Sequence, residues 1–270
     1  MKSLSFDAYT LKWIAVIAMV LNHIGYAFHS ILPFGALLLF FAVGGITYTI
    51  MAYFVVEGYR HSSSLSKYIS RLLIFAVIAQ AFHPMVLGTS AMLQGVIFLN
   101  VLFVIALSIV VLILYDRIKT RFLFWLIFIV FCVISIFTDL FLMGILMPLL
   151  YYTIKKENVR RTLPGIVSGV FWILISGLPL LAIAALQGTP GAEQELQNML
   201  ESSGMTMDVV TVAPAFGIGC FIGAVLVRNY NGDRGRPAKW LFYVAYPFHF
   251  ALIAWVSLVL GLTEFSLFGL

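Results

Sequence analysis

Apolar segments long enough to cross a membrane recur along almost the whole chain. Of its 270 residues, 62% are hydrophobic and only 10% are charged. A membrane-spanning helix needs about 20 consecutive, predominantly apolar residues, and nearly all of the apolar sequence divides into such segments with short connections. The sequence therefore predicts the all-α class: a polytopic transmembrane helical bundle in which residues 1–270 form a single integral membrane domain.

We predict nine spans, at residues 9–29, 34–56, 68–86, 95–115, 122–137, 140–154, 164–186, 210–227 and 240–262. The fifth and sixth are separated because one helix over residues 122–154 would be about 50 Å long, which exceeds the hydrocarbon thickness of a bilayer. A reversal near Thr138 and Asp139 is predicted between them.

The distribution of Lys and Arg supports this count. Cytoplasmic loops of membrane proteins are enriched in these residues, and with nine spans all 16 of them fall on one side. The N-terminus is then cytoplasmic and the C-terminus outside, as in a multi-pass protein of the bacterial inner (cytoplasmic) membrane. The net charge of +5 thus reflects topology, and no nucleic acid partner is expected. Cys132 and Cys220 lie inside spans, where neither a disulfide framework nor a metal site is indicated.

His23 is the first candidate for chemistry, because an ionisable side chain inside a span is costly and tends to be functional. It lies eleven residues after Lys12, on nearly the same helix face and about 18 Å beyond the start of the apolar run at Leu11. Burial favours the neutral imidazole, which can act as a base. Asn22 offers a neighbouring donor and acceptor, although consecutive helical residues point about 100° apart. A histidine that only satisfies a partner in the bundle is the alternative.

Three polar residues in other spans extend this set. His249 lies at a depth similar to that of His23, and Pro247 beside it can loosen the helix and expose backbone groups; a purely structural histidine is equally compatible with the pattern. Asn100 and His83 lie towards the outer ends of spans four and three, where an acceptor opening or simple helix capping would account for both. Asp139 in the predicted reversal is interpreted as a helix cap.

Basic residues at the inner edge suggest an anion site. Lys12, Arg60, Lys67 and Arg71 can converge on a polyanion, because Arg offers a bidentate fork and Lys a mobile charge for phosphates. Topology alone would also account for these charges. Glu57 is expected to hold Arg60 or Arg71 in place by an ion pair.

Several segments resemble one family. They are LKWIAVIAMVLNHIG near the start, VVEGYRHSSSLSKYISRLLIF across spans two and three, LNVLF in span four and RGRPAKWLFYVAYPFHF near the end. In this order they are similar to the TraX family of membrane acetyltransferases, named for acetylation of conjugative pilin. The chain also resembles the wider acyltransferase-three group, in which a basic residue and a histidine with the spacing of Lys12 and His23 mark the first span. The family usually has an aspartate where this chain has Asn22.

The resemblance implies a transmembrane acetyltransferase that takes acetyl-CoA from the cytoplasm and acetylates an amine or hydroxyl on the other side. His23 would be the general base, with a covalent acetyl-histidine as the main variant, and the implied acceptors are an exported peptide with a pilin-like N-terminus, a lipid or a glycan. Asn22, His249 and Asn100 complete the expected catalytic set. The residues expected to contact the CoA thioester are Lys12, Arg60, Lys67, Arg71, Glu57, His61 and Tyr246.

Two other classes of function remain open at this point. In a small proton-coupled transporter or lipid flippase, the mid-membrane histidines would relay protons. A non-catalytic assembly protein is the third interpretation.

Overall fold

In a computed structural model, the described chain comprises residues 5–87, 92–93, 96–186, 191, 194, 198, 207–237 and 239–265, and most of it is helical. The helices are α1 (Ala8–Ala27), α2 (Phe34–His61), α3 (Leu65–Gln80), α4 (His83–Leu87), α5 (Val101–Arg117), α6 (Arg121–Ser135), α7 (Phe141–Thr153), α8 (Glu157–Leu186), α9 (Met207–Val212), α10 (Ala215–Arg228) and α11 (Lys239–Val259). Two short strands, β1 (Met92–Leu93) and β2 (Val96–Ile97), pair antiparallel before α5. The predicted all-helical class is confirmed.

Among the described residues, five helical segments are long and apolar enough to cross a membrane. They are Ala8–Ala27, Phe34–His61, Glu157–Leu178, Val210–Arg228 and Phe242–Val259, and the apolar helices α6 and α7 are shorter. These segments support a membrane protein. The count of nine spans and the sides on which the termini lie stay predictions.

Two predicted spans are wrong in detail. The fourth does not begin as a helix at residue 95, because β2 precedes it and the Asn100 side chain caps α5 by accepting a hydrogen bond from the Leu102 amide. The third is not continuous, since α3 ends at Gln80 and α4 is a separate turn of helix. Apolar composition alone cannot locate such ends, because caps are set by single side chains.

The reversal predicted near Thr138 and Asp139 is present. α6 ends at Ser135 and α7 begins at Phe141. The intervening turn pairs with the segment before α5: the Leu99 amide donates to the Phe137 carbonyl, and the Asp139 amide to the Leu99 carbonyl, each at 2.9 Å. α6 therefore runs antiparallel to its two neighbours.

The helix ends form two polar layers. One, which we call the basic end, includes the starts of α1, α3 and α11 and the ends of α2, α5, α7 and α10; there the Ala8 amide donates to the Asp233 carbonyl at 2.8 Å. Asp7 caps α1, and hydrogen bonds from Thr10 lower the pKa of its carboxyl. The opposite layer, the far end, includes residues 80–87, 98–100 and 136–141. His83 and Asp139 meet there.

Glycines allow α2, α8 and α10 to pack closely. A side-chain carbon at Gly219 on α10 would collide with the Ala42 carbonyl on α2, and one at Gly45 would collide with the Phe216 carbonyl on α10. Small residues bring helix backbones together where no water drives association. α2 in turn binds α1, because the Thr47 hydroxyl donates to the Ala15 carbonyl at 3.0 Å. This layer therefore fixes the rotation of α1, which carries His23.

Candidate active site

His23 and His249 meet in the interior of the bundle. Nδ1 of His23 lies 3.0 Å from Nε2 of His249, and the ring centroids are 4.9 Å apart. His23 lies on α1 and His249 on α11, and the two helices pack against each other. This contact agrees with the similar depths in the membrane that the sequence predicts for His23 and His249.

The partners of His249 determine the direction of the bond. Nδ1 of His249 lies 3.0 Å from the Ala245 carbonyl, which can only accept, so this nitrogen is the donor. In a neutral His249 ring, Nε2 is then the acceptor, and Nδ1 of His23 donates to it. Nε2 of a neutral His23 consequently keeps its lone pair. This is the arrangement that a general base requires.

Phe250 lies against both histidines. Its ring centroid is 4.6 Å from that of His23 and 4.5 Å from that of His249. Tyr246 packs against both His249 and Phe250, with ring centroids 5.4 Å and 5.3 Å apart, and its hydroxyl is buried. The aromatic rings restrict both imidazoles to a small range of orientations.

Asn22 faces a different helix. Its side-chain amide donates to the Phe40 carbonyl at 3.2 Å, and its amide atoms fill the space beside Gly44 on α2. The contacts of Asn22 thus fix α1 against α2, and the structure does not bring this side chain into the histidine pair.

Asn100 has its polar atoms engaged in the wall of the bundle. Its amide nitrogen donates to the Ala76 carbonyl at 2.8 Å and to Oε1 of Gln80 at 2.9 Å, while its oxygen accepts from the Leu102 amide at 3.1 Å. Both N–H groups are therefore used. These bonds join α3 to the start of α5.

The four basic residues predicted to bind the donor contact different neighbours in the structure. Nζ of Lys12 lies 4.8 Å from the centre of the Phe54 ring, and its charge interacts with Arg234, in the loop after α10. Arg71 interacts with the side chain of Tyr243 on α11. Lys67 is exposed at the start of α3.

Arg60 points towards α7. Its guanidinium lies 3.6 Å from Oε1 of Glu57 and donates to the Tyr152 carbonyl at 3.3 Å. The expected ion pair between Glu57 and Arg60 is present. His61 is exposed, and its Nδ1 donates to the Glu57 carbonyl at 2.9 Å. Nothing in the sequence separates Arg60 from Lys12, because the rotation of each helix about its axis is set by packing.

The basic end also carries a cleft of about 490 Å³ between α2, α3 and α5. Tyr59, Ser66, Ser70, Asp116 and Arg117 contribute its polar lining. The histidine pair is not among the residues that line this cleft.

His83 and Asp139 form a second polar pair, at the far end. Their side chains meet at 3.0 Å, between Nε2 of His83 and Oδ2 of Asp139. From the sequence, Asp139 is interpreted as a helix cap and His83 as either a cap or part of an acceptor opening, so their pairing is missed. A histidine at the end of one span and an aspartate in an outer turn were the available signals, but their proximity depends on the tertiary fold. No cluster of three or more His, Cys, Asp or Glu side chains suited to a metal ion occurs among the described residues.

Comparison with known proteins places the chain in a family. The family described as TraX protein matches residues 7–257. The chain is also 28% identical over 262 residues to a protein of Dichelobacter nodosus named probable fimbrial assembly protein FimC, serogroup H1, an alignment that covers 93% of this chain and 96% of that relative. No solved structure matches the chain. The match over nearly the whole length shows that the chain belongs to the TraX family.

Proposed function

We propose that the protein is a membrane-embedded acetyltransferase. It moves an acetyl group from cytoplasmic acetyl-CoA to an amine or hydroxyl of an exported or envelope acceptor, and a pilin-like peptide N-terminus is the favoured acceptor. The observation that carries this proposal is the hydrogen-bonded pair of His23 and His249 inside an apolar bundle. Membership of the TraX family and the name of the fimbrial assembly relative favour a pilus subunit over a lipid or glycan.

His23 is the general base of the proposed reaction. Its Nε2 takes the proton of the acceptor while the acceptor atom bonds to the acetyl carbon and the carbon–sulfur bond breaks; the proton then passes to the departing sulfur. His249 is a positioning residue, since its Nε2 accepts the hydrogen bond from Nδ1 of His23 and so holds the His23 ring in place. A positioned general base contributes about 10²- to 10⁴-fold to a rate.

Acetyl-CoA enters this proposal as a substrate that supplies a thioester-activated acetyl group and carries several phosphate charges. The residues at the basic end fit such an anion. Lys12 is flanked by aromatic rings and by the like charge of Arg234, and the guanidinium of Arg71 has a buried Nε without a partner in the described chain. Cations whose charge is not already neutralised are suited to phosphates. Lys12 and Arg71 are thus the first residues proposed to hold the donor, ahead of Arg60, which already contacts Glu57.

The proposal is tested by labelled acetyl transfer. Purified protein in lipid nanodiscs receives radiolabelled acetyl-CoA and a synthetic peptide with a free N-terminal amine. We expect His23→Ala to lower kcat by about 10²-fold or more, because the base is removed. His249→Phe should cause a smaller fall in kcat, since the base remains but loses its hydrogen-bond acceptor.

His29→Gln is the matched control, because His29 follows α1 but lies outside the pair. Elution from a size-exclusion column verifies that each variant is folded. Wild-type rates in folded His23→Ala would rule out the proposed base. Proton-coupled solute flux in the absence of acetyl-CoA binding would instead favour the transporter.

A further inference from the structure

The buried pair of His83 and Asp139 has the composition of an acid–base dyad. The His83 side chain is 0% exposed, whereas Asp139 is 23% exposed. An ionised carboxylate can only accept, so Nε2 of His83 donates to Oδ2 of Asp139 at 3.0 Å. In the neutral ring, Nδ1 then carries a lone pair. This Nδ1 is buried and has no hydrogen-bond partner in the described part of the chain.

This dyad adjoins the histidine pair. The ring of His83 lies against Phe250, at 5.5 Å between centroids, and Phe250 also contacts His23 and His249. His83 and His23 interact electrostatically. Two imidazoles that each retain a lone pair therefore contact the same phenyl ring.

The surroundings of the dyad include two further polar side chains, those of Tyr26 and Tyr246. The Asp139 carboxylate interacts electrostatically with the Tyr26 and Tyr246 side chains. The Tyr246 hydroxyl is buried, and the Val101 backbone lies within hydrogen-bonding range of it. Buried polar atoms are nearly always hydrogen-bonded, so the free Nδ1 of His83 indicates a place where a polar group from outside the chain binds.

We propose that His83 and Asp139 form the binding site for the ammonium group of an amine acceptor. This inference rests on the proposed function and specifies its substrate class. A peptide N-terminus has a pKa of about 7.7 to 8.0 and is mostly protonated at neutral pH. It therefore needs a negative charge to bind and a base to remove one proton before its nitrogen can attack. A hydroxyl acceptor is uncharged and loses a single proton, so it needs His23 but neither the negative charge nor a second base.

The roles of the two residues follow from their positions. The partly exposed Asp139 attracts the ammonium at the far end, and Nδ1 of His83 accepts one of its three protons. The neutral amine then gives up its second proton to Nε2 of His23 during transfer. The overall reaction converts an ammonium and an acetyl thioester into an amide, a thiol and one proton. That proton leaves from His83 by way of Asp139 to the solvent at the far end.

The test compares two acceptors. Wild-type and variant proteins in nanodiscs receive labelled acetyl-CoA with a synthetic peptide that has a free N-terminal amine, or with the same peptide in which a hydroxyl replaces that amine. We expect Asp139→Asn to raise KM for the amine peptide about tenfold, as for loss of a charge-assisted contact. KM for acetyl-CoA should stay within about twofold of wild type, and Asp139→Glu should restore part of the amine affinity, because it keeps the carboxylate.

Asp116→Asn is the matched control, since its carboxylate accepts hydrogen bonds from Tyr59 and Tyr152 at the basic end. It should leave KM for the amine peptide unchanged. His83→Gln should lower kcat for the amine peptide and have a smaller effect on the hydroxyl peptide.

The outcomes separate this inference from the function on which it depends. Unchanged amine KM in Asp139→Asn, equal losses for both substrates, or transfer only to the hydroxyl peptide would overturn the ammonium site while leaving acetyl transfer in place. Absence of any transfer or acetyl-CoA turnover by wild-type protein would remove both proposals.

Discussion

His23 and His249 show how one hydrogen bond can assign a chemical role. The Ala245 carbonyl fixes the proton of His249 on Nδ1, and this in turn fixes the proton of His23 on the nitrogen that faces its partner. The nitrogen of His23 that we propose as the base is therefore selected by a carbonyl on another helix. The same reasoning applies to His83. The Asp139 carboxylate accepts from Nε2 of His83, as the Ala245 carbonyl accepts from His249, and Nδ1 of His83 therefore keeps its lone pair.

Lys12 offers a prediction at this scale. Lys12→Met keeps most of the aliphatic packing against Phe54 but removes the charge. We expect the Kd for acetyl-CoA, measured by titration calorimetry, to rise about tenfold, because hydrogen bonds to charged groups contribute roughly 1.5–3 kcal/mol. Maximal transfer at saturating donor should be unchanged within about twofold.

Arg121→Gln controls for a general loss of positive charge, since Arg121 packs over Tyr115 and donates to its carbonyl. It should bind acetyl-CoA as wild type does. Equal Kd values for wild type and Lys12→Met would remove Lys12 from the donor site.

At the scale of the helices, the contact between α2 and α10 depends on the absence of side chains. Gly219 lies against the Ala42 backbone, and Gly223 lies against Thr49. Backbone atoms cannot move aside as a flexible side chain can, so any substituent at Gly219 must separate the two helices. Because α2 also binds α1, such a separation would shift His23.

We predict that Gly219→Val destabilises the protein by about 1–3 kcal/mol or more, as expected for overpacking. Thermal unfolding in detergent, followed by the loss of the monodisperse elution peak, measures the effect. Gly177→Val on α8 is the matched control, because a side chain there meets nothing within 4 Å. A Gly219→Val protein as stable as this control would show that the close contact is not required.

At the scale of the whole molecule, the two polar layers predict which end of the bundle lies on each side of the membrane. The short loops at the basic end collect Lys and Arg from distant parts of the chain, and such loops face the cytoplasm. The dyad of His83 and Asp139 lies in the opposite layer. Under this orientation, the proposed donor would bind from the cytoplasm and the proposed acceptor from outside, with the histidine pair between them.

Cysteine labelling in intact cells checks this orientation. Ser63 lies exposed between α2 and α3 at the basic end, and Glu264 lies exposed after α11. We expect Glu264→Cys to react with a membrane-impermeant maleimide in intact cells, and Ser63→Cys to react only after permeabilisation. Native Cys132 and Cys220 provide the background signal. Labelling of both substituted positions from the same side would contradict an odd number of spans between Ser63 and Glu264.

The sequence alone determined the helical class, the membrane setting, the reversal near Asp139 and the family. Each of these depends on local signals: the length of apolar runs, a break in such a run, or the order of short motifs. His23 was identifiable because an ionisable residue is conspicuous among apolar neighbours. No local signal marked the end of α3 or the strands before α5, and the predicted bounds failed there.

The pairings were decided only by the tertiary structure. His23 and His249 are 226 residues apart, and His83 and Asp139 are 56 apart. Hydropathy shows that a helix crosses the bilayer but leaves its rotation about its own axis undetermined. That rotation is set by packing, such as the approach of Gly219 to α2, and it turns Asn22 towards α2 while His23 meets α11.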